Sequence, residues 1–249
     1  MTQQQQFQKR IRELEDISFR NSQFIFTGFL NEAEYADVLS LGEPACGMRA
    51  WGGHEASDRV MVRFGDPETF GYEEPFPIRI LKISPLMEKF ADTLTHRDFL
   101  GALLHLGIER RVIGDILLDG VTAYVFCDEK MSAFLTENLT RVKHTDVRCT
   151  ETEQIPDSLQ PSLKSVEIQV SSGRLDAVIS HVFSLSRSEA QNLFRRQEVF
   201  VNGRVVENLS HIPQEGDLIS VRHFGKFRFA GQTRTTRKGK LCLRIERYV

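Results

Sequence analysis

"SSGRLDAVISHVFSLSRSEAQNLFRRQEVFVNGRVV", residues 171–206, holds two amphipathic helical stretches followed by a hairpin signal. Leu175, Val178, Ile179, Val182 and Phe183 stand at i, i+3, i+4, i+7 and i+8, which puts one apolar stripe on a helix. Ser186-Arg187-Ser188-Glu189 has the spacing of a capping box, in which the serine hydroxyl and the glutamate carboxylate satisfy amides at the helix start; the stripe behind it is Ala190, Leu193 and Phe194. Val199 and Val201 alternate up to Asn202-Gly203, a pair that favours the positive φ angles of a type I′ turn, and Val205-Val206 returns. EGDLISVR, residues 215–222, supplies another strand. Two helices on a small sheet are predicted.

The four arginines within residues 171–197 are not needed for that fold. Arg174 begins the first helix and Arg187 lies in the first turn of the second, where a cation opposes the positive end of the helix dipole. Free N–H groups beside an arginine suit a phosphate, which accepts bidentate hydrogen bonds and relieves that repulsion. A first helix of some ten residues is roughly 15 Å long. In an antiparallel hairpin the two arginines therefore lie at opposite ends and grip separate phosphates. Asp176 reads as a helix-start residue balancing the same dipole. Ser186, Arg195, Arg196, Asn202, Arg204, Lys226 and Arg228 extend the candidate RNA-binding surface, as do Arg234, Arg237 and Lys238 of the tail TRTTRKGK. Phe200, Phe224 and Phe227 are assigned to packing. Phosphate contacts position a protein without reading sequence, and RNA helices are read mainly by shape, so the expected target is structured RNA.

Charge partition points the same way. The 249 residues carry a net charge of −2, yet residues 1–162 hold 17 Lys and Arg against 26 Asp and Glu, whereas residues 163–249 hold 15 against 8. A basic C-terminal module on an acidic body is the electrostatic footprint of a polyanion partner, and it leaves the acidic N-terminal half free to dock a protein. No apolar run approaches the roughly 18 residues of a spanning helix. The opening MTQQQQFQKR lacks the features of a secretory signal, which leads to the expectation of a cytoplasmic chain with no membrane partner. Cys46, Cys127, Cys149 and Cys242 form no CxxC pair and the seven histidines form no HxxxH, so no metal, no cofactor and no disulfide framework is expected.

Upstream, Phe7, Ile11, Leu14 and Ile17 recur at helical spacing. A second helical stretch, NEAEYADVLSL, closes at Gly42, and Gly52-Gly53 marks a turn before the alternating Val60, Val62 and Phe64. DPETFGYEEPFP reads as a loop. From residue 78 the pattern is regular: strand IRILKIS, helix THRDFLGALLHLG with Thr95 as N-cap, strands RRVIGDILL and VTAYVFC around Asp119-Gly120, helix DEKMSAFLTENLTRV, strand KHTDVRCTE. This β-α-β-β-α-β order predicts a ferredoxin-like, RRM-like plait with two helices on one face of its sheet. The fold class is α+β. The predicted organisation is a helical and hairpin subdomain over 1–77, the plait over 78–151, a linker over 152–165 and the basic module over 166–249. HRD at 96–98 lacks the Gly-rich loop, VAIK and DFG of a kinase, and is taken as the start of a helix. His96 and Arg97 there form a candidate second RNA or partner surface.

RLD at 174–176, SR at 186–187, VFVNGRVV at 199–206 and EGDLISVR at 215–222 together resemble the alpha-L RNA-binding domain, the module named after ribosomal protein S four. One residue departs from that pattern. Gln197 stands where the family has glycine after the second helix, which predicts a left-handed residue costing about 1 kcal/mol. HRDFLGALLHLGIERRVIGDI, the Gly52-Gly53 turn and HFGKFRF with its basic tail extend the likeness, so that nearly the whole chain resembles the YlmH family of bacterial and plastid proteins. That resemblance implies a plait-like RNA-binding domain ahead of the alpha-L domain and association with the ribosome through ribosomal RNA. It also implies a place in large-subunit quality control, where obstructed peptidyl-tRNA is processed, with transfer RNA as a further target. A link to cell division belongs to the same resemblance.

Alpha-L domains are often attached to RNA-modifying enzymes. GRLD resembles the catalytic aspartate motif of pseudouridine synthases, but an apolar helical stripe follows it, TSG is missing, and the remaining 160 residues are too few for the synthase domain. A methyltransferase needs a Gly-rich turn after a strand, and none is present. The expectation is a non-enzymatic RNA-binding protein with no catalytic residue; the alternatives are a pseudouridine synthase or methyltransferase, and an adaptor for a division or translation factor.

Overall fold

A computed structural model describes residues 2–160 and 163–248. The chain divides into two compact units, Met1–Gln160 and Pro161–Val249.

The first unit opens with α1, Gln3–Asn21, whose start is closed by a capping box between Thr2 and Gln5. Phe7, Ile11 and Leu14 face the core as their spacing predicts, but Ile17 is exposed, and the neighbouring Ser18 is buried instead, its hydroxyl donating to the Gln23 carbonyl at 2.8 Å. β1 (Ile25–Phe26), α2 (Glu32–Leu39), β2 (Met48–Trp51), β3 (Met61–Phe64) and α3 (Pro67–Phe70) follow. The three strands form an antiparallel sheet in the order β1-β3-β2. The short α3 lies in the segment read as loop. Asp66 caps it by accepting from the Thr69 amide at 3.1 Å, and Pro67 occupies the first helical position, where no N–H is needed.

The plait consists of β4 (Ile78–Pro85), α4 (His96–His105), β5 (Ile113–Asp119), β6 (Thr122–Asp128), α5 (Glu129–Asn138), β7 (Arg141–Val142) and β8 (Thr145–Thr152). Its sheet order is β5-β6-β4-β8-β7, antiparallel throughout. This is the expected βαββαβ arrangement with one two-residue edge strand added. Alternate residues Leu81, Ile83, Ala123, Val125, Cys127, Val147 and Cys149 meet Phe99 and Leu103 of α4 and Leu135 of α5. The other face is not open. Phe126, Ile78, Ile80 and Leu117 pack against Phe29, Met61 and Phe76 of the preceding elements. The border expected at residue 77 is thus a seam between two sheets that share a core within one unit. Asp115 ties the same seam, accepting from the Asp58 amide at 2.7 Å and the Arg59 amide at 3.1 Å, and lying 3.0 Å from His54 Nε2.

Of the stretch 152–165 read as a linker, Thr152 ends β8, Ile155 packs against the Phe126 cluster, Asp157–Leu159 form one turn of 3-10 helix, and Leu163 already belongs to the next strand. Pro161 and Ser162 lie outside the described residues.

The second unit contains β9 (Leu163–Val170), α6 (Leu175–Val182), α7 (Arg187–Arg195), β10 (Val199–Val201), β11 (Arg204–Val205), β12 (Leu218–Val221), β13 (Gly225–Thr235) and β14 (Leu241–Tyr248). One antiparallel sheet runs β11-β10-β12-β13-β14-β9. Its inner face and the stripes of α6 and α7 share a core of Leu175, Val178, Ile179, Val182, Ala190, Leu193, Phe194, Ile219, Phe227, Leu243 and their neighbours. The segment read as a basic tail is therefore a long hairpin whose inner residues belong to this core. All four cysteines are buried and unpaired; burial pushes the Cys127 thiol up to about 12 and the Cys149 thiol to about 11, so neither is a thiolate near neutral pH. No helix among the described residues is long and apolar enough to cross a membrane.

Gln197 occupies the left-handed region at φ +56°. The Glu198 amide donates to the Leu193 carbonyl at 3.0 Å and the Gln197 amide to the Phe194 carbonyl at 3.0 Å, the paired bonds of a Schellman motif. The side-chain amide of Gln197 also donates to Glu207. Gln197→Gly is expected to raise stability by about 0.5–1 kcal/mol, because glycine enters this conformation without steric cost. Chemical denaturation of the two proteins checks it, and a loss of stability would mean that the Glu207 contact outweighs the backbone strain.

Candidate RNA interface

Six of the eight residues of α6 are buried, so little of that helix is free to meet a partner. Arg174 precedes its first turn with extended backbone, φ −64° and ψ 141°. Its guanidinium is engaged. Nε donates to Asp176 Oδ1 and Nη2 to Oδ2, both at 3.1 Å, and Oδ1 also accepts from the Ala177 amide at 2.9 Å. The Asp176 side chain is 4% exposed and that of Arg174 is 42% exposed. Arg174 was expected to weaken its helix start. The structure corrects this: a buried carboxylate in the first turn neutralises both the dipole and the arginine.

α7 starts as its sequence predicts. Ser186 Oγ accepts from the Glu189 amide at 3.2 Å, and Glu189 Oε2 accepts from the Ser186 amide at 2.8 Å; these bonds lower the Glu189 carboxyl below its usual range. Ser186 is thereby committed to the cap. Arg187 is exposed and its side chain makes no hydrogen bond or ion pair among the described residues, and the Arg196 side chain is in the same state. Arg195 is exposed and its Nη1 donates to the Asn192 side chain on the same helix at 3.3 Å.

The hairpin turn holds Asn202 at φ +49° and Gly203 at φ +72°, with Val201 paired to Arg204 across it. The Asn202 side chain is engaged within the module. Its Nδ2 donates to Asp217 at 2.8 Å and its Oδ1 accepts from the Leu218 amide at 3.0 Å, binding the turn to the next strand. Arg204 is exposed at the sheet edge.

Lys226 and Arg228 alternate with the buried Phe227 and Phe229 on β13 and so occupy the sheet face away from the core that α6 and α7 complete. Lys226 Nζ lies 5.0 Å from the centre of the Tyr248 ring, and Arg228 Nη1 donates to the Gly216 carbonyl at 3.2 Å. Arg234 is braced by Glu167 on β9, Nη2 to Oε1 3.0 Å; the pair raises the arginine and lowers the carboxyl. Between β13 and β14 the loop is closed by the Gly239 amide donating to the Thr236 carbonyl at 2.9 Å and the Thr236 amide to the Lys240 carbonyl at 2.8 Å. Arg237 and Lys238 stand exposed on that closed loop without partners among the described residues.

The sequence-derived set thus falls into a helical group (Arg187, Arg195, Arg196), a sheet edge (Arg204), an outer sheet face (Lys226, Arg228) and a hairpin tip (Arg237, Lys238). Arg174, Ser186, Asn202 and Arg234 serve the fold. In the first unit, His96 and Arg97 are exposed at the start of α4, with burial beside Arg110 lowering the His96 imidazole. Sequence reading missed their neighbours. Arg59 donates to the Ile113 carbonyl at 3.1 Å and the Phe29 carbonyl at 2.7 Å, and Arg110 donates to the Ile113 and Gly114 carbonyls. Burial lowers Arg110 to about 10, which still leaves it charged near neutral pH. The sequence signal for this group was IERR, residues 108–111, taken only as part of a family likeness.

Two family models match the chain. One, described as "Putative RNA-binding domain in YlmH", covers residues 72–155, and the other, the S4 domain, covers residues 173–219. The chain is 30% identical over 230 residues to the "Ribosome-associated protein quality control protein P2" of Bacillus subtilis (strain 168), covering 89% of this chain and 86% of that protein. Among solved structures it is similar to the "Cell division protein ylmH from Streptococcus pneumoniae", with a TM-score of 0.52 and 18% identity over 61% of this chain and 92% of that one, a likeness of fold.

Proposed function

Because the chain belongs to the YlmH family, we propose that it is a non-enzymatic, cytoplasmic RNA-binding protein of the ribosome that acts in large-subunit quality control through ribosomal RNA, with transfer RNA as a second contact. One observation carries the reading: the side chains of Arg187, Arg196, Arg237 and Lys238 are exposed cations without partners among the described residues, in a fold that pairs Arg174 and Arg234 internally. Exposed, unpaired guanidinium and ammonium groups on rigid elements are suited to phosphate oxygens, which neutralise them while releasing counterions. The groups lie on different faces of the alpha-L module, which suits a folded RNA touching it at several backbone points better than one straight duplex. The name of the Bacillus relative places that protein on the ribosome in quality control, and 30% identity along 86% of its length supports extending the role to this chain.

The test is sedimentation of the intact protein with purified ribosomal subunits, followed by crosslinking and identification of the bound RNA. Migration with the large subunit and crosslinks to ribosomal RNA are expected. A protein that stays at the top of the gradient, or one that incorporates pseudouridine or methyl groups into that RNA, would overturn the reading.

A further inference from the structure

The antiparallel register of β2 and β3 sets Arg49 directly opposite Arg63. Like charges in that position destabilise a strand pair, so the arrangement calls for something to offset it. Arg63 is 3% exposed; its Nη1 donates to the Glu74 carbonyl at 2.7 Å and lies 3.5 Å from Glu73 Oε1. Its guanidinium carbon is 4.6 Å from the centre of the Phe24 ring and 5.5 Å from that of Phe76, and its buried Nε has no partner among the described residues. Arg49 is exposed and its side chain makes no hydrogen bond or ion pair among the described residues.

Arg49, Arg63 and Glu73 stand where two open hollows meet. One, of about 330 Å³, is walled by Trp51, Gly53, Pro75, Phe76, Ile78 and Ile80. The other, of about 560 Å³, is polar and includes Glu43 and Asp66. We propose that the smaller hollow takes one unpaired nucleotide of single-stranded RNA, its base against Trp51 and its phosphate on Arg49 with the buried Arg63 behind. An aromatic ring beside a free arginine is the pairing that holds single-stranded nucleic acid, since every base offers a π face and every nucleotide an anion. Glu73 lies 3.5 Å from Arg63, and Glu43 and Asp66 line the adjoining hollow, so carboxylates bound the ground on which the phosphate is held. The fold supplies the reason for the place. An RRM stacks bases on its open sheet, but here that face is covered by Phe29 and Met61, and the aromatic and cationic groups stand at the edge of the covering sheet.

This inference rests on the reading of the chain as an RNA-binding protein, and the readout separates the two. Trp51 is the single tryptophan of the sequence, so its fluorescence reports the hollow alone, whereas the anisotropy of a labelled oligonucleotide reports binding anywhere on the chain. Titration of the full-length protein with a six-nucleotide oligoadenylate is expected to quench Trp51 saturably, and an abasic oligomer of the same length is expected not to. Arg49→Ala, at an exposed position, is expected to raise the midpoint of the quench at least fivefold. The triple variant Arg187→Ala, Arg237→Ala, Lys238→Ala is expected to leave the quench intact while weakening binding to ribosomal subunits. No quench at any oligonucleotide concentration, an equal quench by the abasic oligomer, or an unmoved midpoint in Arg49→Ala would overturn the proposal without touching ribosome association. A quench by hexaglutamate but not by oligoadenylate would assign the cleft to an acidic peptide and overturn it as well.

Discussion

Replacing Arg187, Arg237 and Lys238 together by alanine is expected to lower affinity for large-subunit RNA by about a hundredfold near 0.15 M salt while leaving the melting temperature unchanged. Each phosphate contact contributes roughly 0.7 to 0.9 to the slope of log affinity against log salt, so three lost contacts flatten it by about 2 to 3. Carried from 1 M to 0.15 M salt, that difference amounts to about two powers of ten. Stability is untouched because the three side chains are exposed and hold nothing among the described residues. Affinity at three salt concentrations, measured beside a thermal melt, checks both halves. A well-folded variant with unchanged slope would move the RNA site to Lys226 and Arg228 on the opposite sheet face.

Arg174→Ala serves as the contrast, because the two candidate arginines that look alike in sequence differ in the structure. Losing the fork onto Asp176 leaves a carboxylate that is 4% exposed with the Ala177 amide as its remaining donor. The expected loss is about 1–3 kcal/mol, the range for orphaning a buried polar group. It falls short of the loss for a fully buried ion pair, because Arg174 itself is 42% exposed and water relieves part of the effect. Reduced RNA binding by this variant therefore has to be read against its lower melting point, whereas a loss in Arg187→Ala reports contact directly.

That difference marks where sequence reading stops. The stripe Leu175, Val178, Ile179 and Val182, the Ser186–Glu189 box and the Asn202-Gly203 turn are local patterns, and each is present as read, because periodicity and capping depend on residues a few positions apart. The plait order was legible for the same reason. What could not be read were pairings over long sequence distance. Arg234 meets Glu167 some 67 residues away, and Asp115 gathers the amides of Asp58 and Arg59. TRTTRKGK carries so much charge that its strand character was hidden, although Cys242, Leu243 and Ile245 are buried beside it. Ile17 was assigned to the core because it fits the stripe of α1, and it is exposed because Ser18, bonded to the Gln23 carbonyl, takes the buried position at that end of the helix.

Gly53 shows the same limit from the side of energetics. The sequence marks Gly52-Gly53 as a turn; the structure shows why a side chain is excluded. Gly53 sits at φ +104°, and a Cβ placed there would lie 2.2 Å from Cδ1 and 2.5 Å from Cε1 of Phe126. Phe126 is fully buried, between the plait sheet and Met61, and His54 packs 5.0 Å from its ring centre, so the ring has no free space into which to rotate. Gly53→Ala is expected to destabilise by about 2–5 kcal/mol, the sum of about 1–2 for the left-handed backbone and about 1–3 for overpacking. For a unit of this size that corresponds to a fall in melting temperature of roughly 4–20 °C. Gly71→Ala separates the two contributions. Gly71 also has a positive φ, +77°, but nothing lies within 4 Å of its added Cβ, so only the backbone share of about 1–2 kcal/mol is expected. The steric share should shrink when the ring is trimmed, so the double variant Gly53→Ala, Phe126→Leu is expected to be less destabilised than the sum of its single changes by about 1–2 kcal/mol. Equal melting of Gly53→Ala and Gly71→Ala would show that Phe126 yields, and that the 52–59 loop is held to the plait by the Asp115 hydrogen bonds rather than by its fit against that ring.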